Sequence, residues 1–226
     1  MRSHVSPFFI ALFAVGILVI TSSNLFSKES GFFEKVFTAP DDPAPGELVM
    51  DAEWRIWIPD GVEVWKGGVV HQHGCGDGSC DGARTAVFDL HWQELARQHQ
   101  CALIASSFRQ GTWNCECWCD PRNGSAQSFL DALDYFADYT GHEELTIVPW
   151  ALWGHSGGAQ WVSCMTHLYP ERVVAAWLRS GCPDTVVQIF DELPLDEVLD
   201  VPMVLNIGAY EYEINMIWGS CWDYYV

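Results

Sequence analysis

Basic residues are scarce in this chain. Only 11 Lys and Arg stand against 30 Asp and Glu in 226 residues, a formal charge of −19. Such a surface repels phosphate backbones and anionic lipid, which argues against a nucleic-acid partner. No internal repeat is present, which removes solenoid and propeller architectures. A long hydrophobic run is also missing. The apolar stretch from Phe8 to Ile20 is 13 residues, short of the roughly 20 that span a bilayer. Met1-Arg2-Ser3-His4 gives it a cationic start and Thr21-Ser22-Ser23-Asn24 a polar end, the pattern of an export signal. Thr21/Ser23 and Leu25/Ser27 are the best small-residue cleavage sites, and neither is clean, so an uncleaved anchor is the alternative. No cysteine lies near the end of the stretch, so lipoprotein processing is not indicated. Residues 1–27 are therefore expected to be a signal peptide or an N-terminal membrane anchor. The protein is expected to be secreted or periplasmic, or else anchored and facing outward, with membrane contact only through that segment. Oligomeric state is not legible.

Nine cysteines in an exported chain point to an oxidising compartment and at least one structural disulfide. Cys75 and Cys80 flank Gly76-Asp77-Gly78-Ser79, and Cys115, Cys117 and Cys119 crowd one loop. The alternate-residue spacing of that loop is not the C-x2-C of zinc motifs, so no metal is expected. No cofactor is expected either. Cys101, Cys164 and Cys182 sit in apolar segments as small hydrophobes. Trp113 and Trp118, in the 108–124 loop, suit either a stacking platform for substrate or plain aromatic packing. Trp150, Trp153 and Trp177 fall in strand-like runs and are expected in the core.

Half the chain (49%) is hydrophobic, enough for one sizeable core. Residues 28–47 carry charge and breakers, notably Pro40-Asp41-Asp42-Pro43-Ala44-Pro45-Gly46, and are expected to be a linker. From residue 48 to 226, strand-like and helix-like runs alternate. Strands are expected at 53–58, 68–73, 101–105, 146–153, 173–178 and 202–207. Phe88, Trp92, Leu95 and Ala96 mark one amphipathic helix, and Phe129, Leu133 and Phe136 another. Alternation of this kind builds a mainly parallel sheet with helices on both faces, an α/β architecture with ligands at the C-terminal strand ends.

Gly154-His155-Ser156-Gly157-Gly158 follows the run 146–153 and precedes a breaker-free helical run from Ala159 to Leu168. This is a G-x-S-x-G elbow, in which a serine sits on a sharp strand-to-helix turn with its hydroxyl exposed. The helix N-terminus behind Ser156 favours a developing anion. Acyl transfer also needs two backbone N–H donors for the oxyanion. Gly157, next to the serine, supplies one. His73-Gly74-Cys75-Gly76, ending an earlier strand, supplies the other, from Cys75 or Gly74.

Three segments together resemble secreted esterases of the α/β-hydrolase superfamily: Val70-His71-Gln72-His73-Gly74-Cys75-Gly76, Trp92-Gln93-Glu94-Leu95-Ala96, and the elbow. The branch they resemble is the poly(3-hydroxybutyrate) depolymerase and feruloyl esterase-like proteins. Tyr169 to Ala176 and Ser180-Gly181-Cys182-Pro183 also fit, so the resemblance spans about residues 50 to 208. It implies an α/β-hydrolase fold and a serine esterase acting on small or polymer-linked carboxylic esters. By position it makes Ser156 the nucleophile and Cys75 with Gly157 the oxyanion hole.

One part of the pattern is missing. The family order is serine, acid, histidine, yet the last histidine here is His167. Eleven residues along a helix place it roughly 16 Å from Ser156. His155 would project away from the serine hydroxyl, while His71 and His73 are better suited to holding the oxyanion loop than to acting as the base. The domain 48–226 is therefore expected to be incomplete, lacking its last strand and catalytic histidine. The acid is expected at Glu211, in Gly208-Ala209-Tyr210-Glu211, with Asp184 and Glu213 as alternatives. A catalytically inactive binding or anchored scaffold, or a serine peptidase on the same fold, is the other functional expectation.

Overall fold

The computed structural model describes residues 29–76, 82–109, 118–181, 198 and 200–208. Seven strands form one sheet: β1 (Gly31–Phe37), β2 (Ala52–Ile58), β3 (Gly67–Gln72), β4 (Cys101–Phe108), β5 (Trp150–His155), β6 (Val173–Arg179) and β7 (Met203–Asn206). Their spatial order is β1-β2-β4-β3-β5-β6-β7. The first two pairings are antiparallel and the rest parallel. Helices α1 (Gly82–Val87) and α2 (Leu90–Gln98) connect β3 to β4. Helix α3 (Ala126–Thr140) lies between β4 and β5, and α4 (Gly157–Leu168) between β5 and β6.

Chain direction sets the two helix layers. The step from β3 back to β4 runs opposite to the steps β4→β5 and β5→β6. Right-handed crossovers therefore put α1 and α2 on one face and α3 and α4 on the other. The larger core lies under α3 and α4, where Trp54, Phe129, Trp150 and Trp161 are fully buried. Their rings meet edge-on or tilted at 4.9–6.2 Å between centroids, as aromatic quadrupoles prefer. The Trp54 and Trp161 indoles donate to Ser128 and Ser125, while the buried Trp150 N–H has no partner among the described residues. A smaller cluster forms under α1 and α2 around Trp57, Val69, Leu103 and Ala105.

Local chemistry explains the helix ends. Asp89 caps α2 by accepting from the His91 and Trp92 amides at 2.8 and 3.2 Å. Gly141 ends α3 in the left-handed conformation, φ 73°.

Several expectations are corrected here. The stretch 28–47, expected to be a linker, contains β1, a half-buried edge strand paired to β2 throughout its length. The strand before the elbow starts at Trp150; Glu143–Thr146 forms a short 3-10 turn instead. The helix expected around Phe88 splits in two, and of its predicted apolar stripe only Ala96 is buried. Trp118 is no stacking platform, being buried and stacked on Phe108 at 4.9 Å. Trp177 is 45% exposed rather than core. The helices α1 and α2 do not reach the face of β6 and β7 on which Trp177 and Val204 lie, so both remain open among the described residues.

No helix among the described residues is long and apolar enough to cross a membrane. The expectations for residues 1–27 and for Cys80, Cys115, Cys117, Trp113, Asp184, Cys182, Glu211 and Glu213 fall outside the described residues.

Candidate active site

Ser156 stands alone between β5 and α4, with φ 54° and ψ −121°. A non-glycine residue there is held in a sparsely populated region, at a cost of about 1–3 kcal/mol that surrounding structure must enforce. The turn is enforced by close packing. A Cβ on Gly154 would overlap the Gly158 carbonyl oxygen and lie 2.7 Å from the Ala159 nitrogen. One on Gly158 would overlap the Gln72 carbonyl and lie 2.5 Å from that of His73. Only hydrogen in place of a side chain lets β5, α4 and the end of β3 meet this closely.

The same packing brings the two predicted oxyanion segments together. A Cβ on Gly74 would lie 3.0 Å from Ser156 Cβ and 2.8 Å from the His155 carbonyl oxygen. Gly74-Cys75 therefore runs directly beside the serine. On the other side, the Ser156 amide donates to the Arg179 carbonyl at 2.9 Å, fixing the elbow to the end of β6. The first helical bonds of α4 run from Ala159 and Gln160 to the Ser156 carbonyl, at 2.9 and 3.2 Å. Gly157 and Gly158 precede them, so their N–H groups fall among the unpaired donors of a helix start. Ser156 itself is half-buried, and its hydroxyl has no hydrogen-bond partner among the described residues.

Histidines surround this turn without engaging the serine. His73 Nε2 lies 3.0 Å from Thr85 Oγ1, whose own proton goes to the Gly82 carbonyl at 3.2 Å. The threonine oxygen must then accept, which places the proton of neutral His73 on Nε2. Burial and the neighbouring His155 both lower the His73 pKa. His71 is buried against Trp153, stacked at 4.2 Å, with the edges of Trp92 and His73 at 4.9 and 4.8 Å. Burial, and then the His73 charge, push its pKa down to about 3, so it is neutral at physiological pH. Both imidazoles brace the loop that carries Gly74 and Cys75, as the sequence suggests. A third brace, Ser106 Oγ donating to Gln72 Oε1 at 2.5 Å, ties the end of β3 to β4. This buried contact is invisible in the sequence because its partners are 34 residues apart.

Two further described histidines are held by other groups. His167 sits on α4 with Nδ1 2.8 Å from the Ser163 carbonyl. His142 accepts from Trp65 Nε1 at 2.7 Å, beside the N-terminal start of β3 and so at the opposite strand end from the elbow. No group of three metal-ligating side chains occurs among the described residues.

A cavity of about 630 Å³ opens at the same C-terminal edge of the sheet, beside the elbow. Trp153, Trp177, His73, Arg179 and Asn206 line it, although Ser156 does not.

No family model and no curated protein matches the sequence. Among solved structures, the fold is similar to poly(aspartic acid) hydrolase-1 from Sphingomonas sp. KT-1, with TM-score 0.55 and 19% identity over 84% of this chain and 76% of that one. It is similar to a feruloyl esterase module from Clostridium thermocellum, with TM-score 0.51 and 8% identity over 85% and 72%. It is also similar to a ferulic acid esterase, with TM-score 0.50 and 11% identity over 86% and 97%. At these identities the likeness concerns the fold. The chain has the α/β-hydrolase fold, with its elbow where that fold presents a nucleophile.

Proposed function

We propose that this protein is an exported serine hydrolase that cleaves carboxylic esters through an acyl-enzyme on Ser156. The observation that carries this reading is the Ser156 backbone, φ 54° and ψ −121°, enforced at a strand–helix turn by glycine contacts. Strain maintained at one half-buried serine on a strand–helix turn has a use in catalysis and none in stability. In this reading the Gly157 and Cys75 amides receive the oxyanion, and a disulfide at Cys75 keeps its loop against the elbow. Glu211 is the proposed orienting acid. No described histidine is hydrogen-bonded to the Ser156 hydroxyl, so none is assigned as the general base.

The chemistry then divides. The serine hydroxyl, without a base, attacks slowly; the oxyanion hole and binding still contribute about 10³–10⁴-fold over water, as triad deletions elsewhere retain. The feruloyl and ferulic acid esterases that share the fold support an ester substrate. An inactive scaffold is the second reading, favoured by the absence of any base near Ser156 among the described residues.

The test is prolonged labelling of the chain with a fluorophosphonate, followed by peptide mapping. A phosphonyl adduct on Ser156, absent from Ser156→Ala, is expected. An adduct on another residue, undiminished in Ser156→Ala, would refute the nucleophile.

A further inference from the structure

The cavity beside the elbow has a composition that the ester chemistry alone does not require. Its walls include two indole rings, Trp153 and Trp177, and its lining carries Arg179 and Asn206, register partners at the ends of β6 and β7. The other described arginines of the sheet are engaged. Arg55 and Arg109 pair with Glu53 at 2.5 and 3.1 Å, and Arg172 lies over the Trp150 ring at 4.2 Å. Arg179 makes no ion pair among the described residues, in a chain whose acids outnumber its bases by 30 to 11. It is also the residue whose carbonyl accepts the Ser156 amide, so its side chain departs from a backbone in contact with the nucleophile.

An exposed guanidinium without a carboxylate partner among the described residues, one strand from Ser156, is a ready receptor for an anion. Its planar fork matches a carboxylate, which two N–H groups can hold side by side. The flanking indoles suit the carbon skeleton of an organic anion rather than bare phosphate. The overall charge of −19 disfavours polyanions and selects for one negative charge close to the cation. The one acid lining the cavity, Asp89, is drawn onto the amides of His91 and Trp92. It stands on the α2 wall, which keeps the anion on the Arg179 side.

We propose that this cavity is a substrate subsite for esters that bear a free carboxylate, held by Arg179 and Asn206 and flanked by Trp153 and Trp177. The proposal rests on the esterase reading for its use of Ser156, but not for its binding chemistry.

Two measurements on the full chain separate the two claims. The first is the ratio of kcat/KM for mono-4-nitrophenyl glutarate to that for 4-nitrophenyl pentanoate, which differ by the distal carboxylate. The second is binding of monomethyl glutarate to Ser156→Ala, followed by indole fluorescence, since Trp153 and Trp177 line the site. In Arg179→Gln the ratio is expected to fall about tenfold, and the binding midpoint to rise by a similar factor, as for one solvent-accessible charged hydrogen-bond pair. Arg179→Lys should restore part of both, and added salt should weaken binding to the parent more than to Arg179→Gln. Arg179-dependent binding without Ser156-dependent turnover of either ester would retain the subsite and sink the esterase reading. Ser156-dependent turnover with a ratio and a binding midpoint indifferent to Arg179, or no binding of monomethyl glutarate at all, would overturn the subsite.

Discussion

Adding one methyl group at Gly158 is the sharpest test of the elbow. The new Cβ of Gly158→Ala would overlap the Gln72 carbonyl oxygen and lie 2.5 Å from the His73 oxygen. Both obstacles are backbone at the end of β3, so no rotamer change relieves them. Gln72 is further held by Ser106, and His73 by Thr85, so the strand end resists retreat. Reaching even a tight 3.0 Å contact requires a shift of about half an ångström, and overpacking of this kind costs about 1–3 kcal/mol. For a domain of this size that lowers Tm by roughly 2–12 °C. The shift falls on Gly74 and Cys75, which follow His73 and border Ser156. Displacement of a catalytic group by about 1 Å costs on the order of 100-fold. Fluorophosphonate labelling of Ser156 should therefore slow by more than the loss of folded protein explains. Gly61→Ala is the control: its φ is 80°, yet nothing lies within 4 Å, so it should cost about 1 kcal/mol and leave labelling alone. If Gly158→Ala keeps both its Tm and its labelling rate, the close approach of β3 to α4 is wrong.

Other outcomes follow from the same geometry. Ser156→Gly should remove the nucleophile yet raise Tm by about 2–4 °C, because glycine tolerates φ 54° without strain, whereas Ser156→Ala should not; thermal melts of the pair check this. His71 has a folded pKa of about 3 against 6.5 unfolded, so below pH 6.5 the unfolded chain binds the extra proton and stability is lost as pH falls toward 3. His71→Phe, which keeps the stack on Trp153, should flatten that fall by up to about 1.4 kcal/mol per pH unit, read from urea midpoints at pH 7, 5 and 4. Free imidazole should accelerate 4-nitrophenyl acetate hydrolysis more in the parent than in Ser156→Ala, since Ser156 has no base partner among the described residues; equal acceleration would show that the serine takes no part.

The parallel core of the sheet was legible because its strands are apolar runs bounded by glycine and proline. Val69-Val70 and Leu103-Ile104 are neighbours in register, with Leu152 opposite Val70; all are buried and need no alternation to be recognised. Edge and capping elements were less visible. β1 leaves Gly31, Phe33, Lys35 and Phe37 only partly buried, and its outward Phe32 and Val36 blur the period-two pattern that would mark it. Its proline-rich neighbourhood at residues 40–46 also carries the composition of a linker. The 3-10 turn at Glu143–Thr146 hid the start of β5 for a related reason: Ile147 and Val148 extend the apolar run without joining the sheet.

The site divides along the same line. Ser156, Gly157 and the Gly74-Cys75 loop could be found from local spacing, because an elbow and a glycine-ended strand are written within a few residues. What holds them could not. The Thr85 hydroxyl under His73 and the Ser106 hydroxyl on Gln72 are single polar side chains in unremarkable contexts, made relevant only by the sheet order that places β4 beside β3. Arg179 is a similar case. In sequence it is the last residue of an apolar strand, where a cation is an ordinary solvated end. It gains meaning because the β5–β6 register sets it opposite His155 and its carbonyl under the Ser156 amide. Local spacing thus reveals the group proposed to form the covalent bond. The residues that brace it, and those proposed to select the acyl group, depend on strand neighbours distant in sequence.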